Sequence, residues 1–241
     1  MNLETKIQNI PKTTNINKWE KYLERSLTCQ EKELLFNTSK EIQLNKQIFN
    51  LINNNKNTKL YIPDLTYSNG NCLYESLCYH LTDITPHEIR KLIATFLRVY
   101  QKYPNIFVNQ DMTLEEMFNI QNEINYLYDR TNNILYKYNY DIMCSDLYCD
   151  NSWERLPNEI ILMCISFIFD INIEISHDNG YSHNICTCEQ PHKTIYIGLL
   201  GEFHYIPLQI KKENDPDDIT DYIKLYNNFM DKFHEWRQIV N

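Results

Sequence analysis

A thiol and an imidazole stand at two widely separated places in this chain, each in a setting suited to nucleophilic chemistry. Asn69-Gly70-Asn71-Cys72-Leu73-Tyr74 puts the thiol two residues after a glycine, at the expected start of a helix. The chain holds only four glycines, Gly70, Gly180, Gly198 and Gly201, so one beside a cysteine marks a backbone demand. Glycine takes turns that other residues resist and lets a substrate approach the main chain. A cysteine on the first turn of a helix feels the positive end of the macrodipole. That field favours thiolate, the nucleophilic form. The base that takes the thiol proton, and later returns it to a leaving amine, is offered far downstream by His204. Backbone N–H groups after Gly70, at Asn71 and Cys72, would hold the oxyanion. The chemistry is acyl transfer at an amide.

Both groups need elements to position them. Leu73, Leu77 and Leu81 share one face of a helix predicted from Cys72 to Leu81. Thr85-Pro86 opens the next helix, with Ile89, Leu92, Ile93, Phe96 and Tyr100 as its apolar stripe. Thr113-Leu114-Glu115-Glu116 has capping-box spacing and starts a third, running towards Asp129. Residues 133–145 are aromatic and fit neither period, and Glu159 to Phe169 reads as a buried helix. Ile171 to Ile175 alternates as a strand does, a loop spans Ser176 to Lys193, and Ile195 to Leu200 is a second strand. Leu200-Gly201-Glu202-Phe203 fits a hairpin turn with glycine at its first central position. The returning strand, Phe203 to Ile210, puts His204, Ile206 and Leu208 on one face.

Ahead of this region, Trp19, Tyr22, Leu23 and Leu27, then Leu34 to Leu51, suggest two helices before the polar break Asn53 to Asn57. Behind it, Asp217 to Val240 reads as a helix with Tyr222, Tyr226, Phe229, Phe233 and Trp236 inward. The expected organisation is a helical extension over 1–56, a catalytic domain over 57–212 and a packed C-terminal helix over 213–241.

The net charge of −9, without a long Lys/Arg run, argues against nucleic acid as a partner, because phosphate binding needs clustered cations. The longest apolar stretch, Ile160 to Phe169, falls short of the roughly 20 residues a membrane span needs. The first residues lack the apolar core of a signal peptide, and the eight cysteines show no secreted-protein framework, which together predict a reducing, cytoplasmic setting. The abundance of Asn, Ile, Lys and Tyr is that of AT-rich coding, as in large DNA viruses, parasites or intracellular bacteria.

Asn69 to Leu77 resembles the catalytic-cysteine motif of the ovarian tumour (OTU) family of deubiquitinases, usually Asp-Gly-Asn-Cys followed by an apolar residue, an aromatic, a variable position and Ser. Tyr140 to Ile175 resembles that family's middle block through Trp153, Glu159 and Ile171-Asn172-Ile173. His204-Tyr205 resembles its histidine–aromatic pair. The resemblance covers roughly residues 60 to 210 and implies an α+β, papain-like fold: a small mixed or antiparallel sheet between helical lobes. It also implies cysteine-dependent hydrolysis of the isopeptide bond after the C-terminal glycine of ubiquitin, with ubiquitin chains or ubiquitinated host proteins as substrates and no cofactor.

Three positions depart from the family pattern. Asn69 stands where the family has Asp, Trp153-Glu154 where it has Trp-Gly, and Ile206 where it has the Asp or Asn that orients the histidine. Isoleucine accepts no hydrogen bond. The substitute orienter expected here is Asn69, whose amide oxygen would reach the imidazole or whose NH2 would instead support the oxyanion. The same departures leave a second reading open, an OTU-fold module that binds ubiquitin with little catalysis. A third is a thiol hydrolase or transferase acting on another substrate.

Two further clusters call for a reading. His183, Cys186, Cys188 and His192 supply four zinc-type ligands in one loop, though Cys-x-Cys is tighter than zinc sites usually use, and incidental thiols are the alternative. The tyrosine-rich stretch from Tyr126 to Tyr148 is either packed between helices or a partner surface.

Overall fold

A computed structural model describes residues 16–55, 60–66, 70–108, 110–122, 126–129, 133–149, 152 and 156–210. Asn69, Trp153 and the expected C-terminal helix lie outside these residues. The chain divides into two compact units, the larger spanning Leu51–Asn214. The smaller includes α1 (Ile16–Leu23) and α2 (Cys29–Asn54) as far as Asn50. Thr28 caps α2: its hydroxyl accepts from the Glu31 N–H at 3.3 Å, and Glu31 accepts in return from the Thr28 N–H at 2.8 Å.

In the larger unit the described elements run β1 (Leu60–Tyr61), α3 (Cys72–His80), α4 (Pro86–Tyr100), α5 (Leu114–Gln121), β2 (Tyr126–Asp129), β3 (Ile134–Lys137), α6 (Tyr140–Asp146), α7 (Asn158–Phe169), β4 (Ile171–His177), β5 (Ser182–Ile185), β6 (Lys193–Leu200) and β7 (His204–Ile210). The class is α+β. One mixed sheet has the order β1-β7-β6-β4-β5, with β4 and β6 parallel and the other pairs antiparallel. Register assigns its two faces. Ile195, Ile197, Leu199 and Tyr205 join one core with Leu73 and Leu77 of α3, Ile93 and Leu97 of α4, and Ile161 and Ile165 of α7. Gly198 faces Ile206 and Leu200 faces His204 on the opposite side, where the last turn of α2 brings Leu51 against Gly198.

The capping boxes at Thr85/Glu88 and Thr113/Glu116 form as their spacing predicts. Elsewhere the structure corrects the sequence reading. Ile89, Ile93 and Phe96 of the expected α4 stripe are buried, but Arg90, Ala94 and Leu97 join them while Leu92 is 43% exposed. Helix α5 stops at Gln121, because the backbone turns extended at Asn122 and β-favouring Tyr126-Leu127-Tyr128 pairs with Ile134 to Lys137 as a separate ribbon. Tyr126, Tyr128, Ile134 and Leu135 on that ribbon are exposed, whereas Tyr138 and Tyr140 are core, so the tyrosine-rich stretch is divided between surface and interior. The segment read as a loop before β6 contains β5, which folds back on β4 through a turn closed by the His177 N–H on the Tyr181 carbonyl at 2.8 Å.

Candidate active site

Gly70 takes a φ of +82°, in the region where a side chain would be strained, and so releases the chain into α3. Asn71 is the N-cap residue and Cys72 the first residue of the helix. At the other end of the site, Gly201 and Glu202 both adopt positive φ, +56° and +68°, and the Phe203 N–H bonds the Leu200 carbonyl at 3.2 Å. The turn therefore places two successive left-handed residues where the sequence argued for one, and delivers His204 to the start of β7 opposite Leu200.

These two ends meet. Cys72 Sγ accepts from the Tyr205 N–H at 3.5 Å and donates towards the Phe203 carbonyl at 3.9 Å. The thiol is thus held by the main chain on either side of His204. A groove at this place is lined by Gly70, Cys72, Leu156, Asn158, Phe203 and Tyr205. The thiol is only 7% exposed, while Phe203 stands 62% exposed.

Burial changes the expected electrostatics. The helix start was expected to favour thiolate. Instead burial pushes the Cys72 thiol above its ordinary value, outweighing the lowering by the Tyr205 and Leu73 N–H groups, and the Glu75 charge adds to the rise. Burial also holds His204 below its ordinary value, against smaller upward pulls from Glu75 and from the Thr66 backbone. Both shifts favour the neutral forms, a thiol at Cys72 and an unprotonated imidazole at His204, and a neutral imidazole is the form a general base requires.

Thr66 brings a side chain to that ring. Its Oγ1 lies 3.4 Å from His204 Nε2 and donates its own hydrogen to the Tyr205 carbonyl. Nothing in the sequence singled it out; it sits in the extended segment after β1, whose course beside β7 only the fold reveals. Ile206 is 0% exposed and fills the space against Gly198, so the position two after the histidine is a packing position. Asn71 is half-buried, and its side chain makes no capping bond to α3. Glu159 lies in the first turn of α7 and is exposed.

The loop with four zinc-type ligands does not gather them. His183 Nδ1 lies 3.1 Å from His177 Nε2, His192 Nδ1 bonds the Asp170 carbonyl at 2.6 Å, and Cys186 Sγ bonds the Cys188 carbonyl at 3.3 Å. Among the described residues no group of three or more His, Cys, Asp or Glu side chains could hold a metal ion. Nor is any described helix long and apolar enough to cross a membrane. All eight cysteines are free thiols.

No family model matches the chain, and no curated protein sequence does. Solved structures similar to it include three OTU domains. An OTU deubiquitinase from Wolbachia pipientis wMel bound to ubiquitin is 15% identical, with a TM-score of 0.40 over 64% of this chain and 97% of that one. The OTUD1 OTU domain is 12% identical, with a TM-score of 0.44 over 69% and 94%. An OTU domain in complex with ubiquitin is 13% identical, with a TM-score of 0.43 over 73% and 89%.

Proposed function

We propose that this protein is a thiol-dependent deubiquitinase of OTU type. The observation that carries the reading is the seating of Cys72 Sγ on the backbone of Phe203 and Tyr205, the two chain neighbours of the histidine that the resemblance assigns to catalysis. His204 takes the Cys72 proton as the sulfur attacks the carbonyl carbon of ubiquitin's C-terminal glycine. Backbone N–H groups at the start of α3 receive the oxyanion. Collapse of the tetrahedral species breaks the C–N bond, and the proton on His204 passes to the departing lysine amine. Water, deprotonated by His204, then cleaves the thioester and restores the thiol. Asn69 remains part of this proposal as a second support for the imidazole or the oxyanion.

Ubiquitin carrying a C-terminal electrophile tests it. Covalent labelling that disappears in Cys72→Ala, with cleavage of diubiquitin by the wild type, is the expected result. Tight binding without labelling would instead establish the second reading, a ubiquitin-binding module. The raised thiol and the apolar residue at position 206 favour that alternative.

A further inference from the structure

Arg90 is an arginine on the buried face of a helix, 1% exposed, with its contacts made to neutral oxygens. Nε donates to the Leu147 carbonyl at 2.8 Å, and Nη2 donates to Ser152 Oγ at 2.7 Å, to the Asp146 carbonyl at 3.3 Å and to the Cys149 carbonyl. The guanidinium lies 4.7 Å over the ring of Tyr74. The remaining arm, Nη1, donates to Asn71 Oδ1 at 3.0 Å.

That last bond matters because of where Asn71 stands. Asparagine at an N-cap ordinarily turns its side-chain oxygen onto the N–H of the second or third helical residue. Here those are Leu73 and Tyr74, and Asn71 makes no such bond. Its carboxamide oxygen is taken by Arg90 instead. The same N–H groups would stabilise a thiolate at the first helical residue, and the Leu73 N–H already pulls the Cys72 thiol downward. An asparagine cap would compete for the same donors.

We propose that Arg90 is a positioning residue that draws the Asn71 side chain away from α3 and so keeps the Leu73 and Tyr74 N–H groups available to the Cys72 sulfur. The proposal rests on Cys72 being the nucleophile, but its test needs no ubiquitin. Among the described residues, the titratable groups that interact with the thiol are Glu75 and Tyr74 on α3 and Tyr205 on β7, and all three stay in place in the variants below.

The experiment is the pH dependence of Cys72 alkylation by iodoacetamide in the full chain, followed by mass spectrometry of the peptide containing Cys72. Asn71→Ser and Asn71→Ala both abandon the bond to Arg90, but only serine installs a cap. Asn71→Ser is expected to alkylate about 2- to 30-fold more slowly near neutral pH than Asn71→Ala, the range a cap is worth, with its profile moved to higher pH. Arg90→Lys is expected to slow alkylation in the same way, and adding Asn71→Ala to it to restore the rate. Equal rates for Asn71→Ser and Asn71→Ala would overturn the proposal, whether or not Arg90→Lys folds. An Arg90→Lys defect that Asn71→Ala leaves untouched would do so too. A chain that behaves as expected here yet leaves ubiquitin conjugates intact would refute the deubiquitinase reading alone.

Discussion

The hydroxyl of Thr66 stands 3.4 Å from His204 Nε2 and spends its own hydrogen on the Tyr205 carbonyl. Because that hydrogen is committed, the oxygen faces the ring as an acceptor. When Nε2 carries the ring proton it can donate to this oxygen, and Nδ1 is then the basic nitrogen. The distance is long for a strong bond, so the contribution is modest.

Thr66→Val removes both the acceptor at the ring and the donor to the Tyr205 carbonyl while keeping the shape, and it leaves the Thr66 backbone, which also supports the ring. With a fluorogenic ubiquitin substrate, kcat is expected to fall by about 2- to 12-fold, the scale of one neutral hydrogen bond, with KM unchanged. A kcat equal to wild type would show that the ring is held without the hydroxyl.

Ile206→Asn introduces the polar residue that the OTU motif carries two positions after its histidine. Ile206 is fully buried with its Cγ1 close to Gly198, so an amide introduced there enters an apolar space. The variant is expected to lose about 2–4 kcal/mol of stability, read from its denaturation midpoint. A loss below about 0.5 kcal/mol with a raised kcat would mean that the amide has found the imidazole, and that the wild type works with an unfilled third position.

What the sequence disclosed here, and what it hid, follow from the range of the interactions. Cys72, Gly70 and the Thr85 and Thr113 caps declare themselves within a few residues, because turn and cap chemistry is local. The strand carrying His204 was legible from its turn and alternation. Thr66 and Arg90 were not, because each acts through contacts far along the chain: Thr66 on β7, and Arg90 on the 146–152 segment. The depressed thiol expected from the helix dipole failed for the same reason. The dipole is read from one helix, whereas the burial that overrides it comes from the whole fold. The β2–β3 ribbon was missed because Tyr-Leu-Tyr suits a helix or a strand, and only pairing decides.

Three histidines predict the acid limb of stability. Burial is the main cause holding His80, His183 and His204 below their ordinary 6.5 in the folded chain. The unfolded chain takes these protons near 6.5, so as pH falls through that value it binds more protons than the native state and native stability declines. The decline continues until each folded-state pKa is passed. Glu88 and Glu116 titrate below their ordinary 4.5 and stay outside this window. The melting temperature is expected to be lower at about pH 5.5 than at about pH 7.5. An equal or higher value at the acid end would show that these rings protonate in place.

Gly198 gives the sharpest packing test, because it separates β6 from what covers the His204 face. A Cβ there would lie 2.7 Å from Leu51 Cδ2 and 2.9 Å from Ile206 Cγ1, closer than side chains approach. Leu51 is itself buried, so its methyl has little room to retreat. Gly198→Ala is expected to destabilise the chain by about 1–3 kcal/mol through overpacking. Leu51→Ala removes one of the two clashing groups, so the double variant should be more stable than the sum of the two single losses implies. Strict additivity would mean that the strain falls on Ile206 alone. A shift of the β7 backbone at Ile206 would then carry to His204 and appear as a fall in kcat, while relief through Leu51 would leave kcat at the wild-type value.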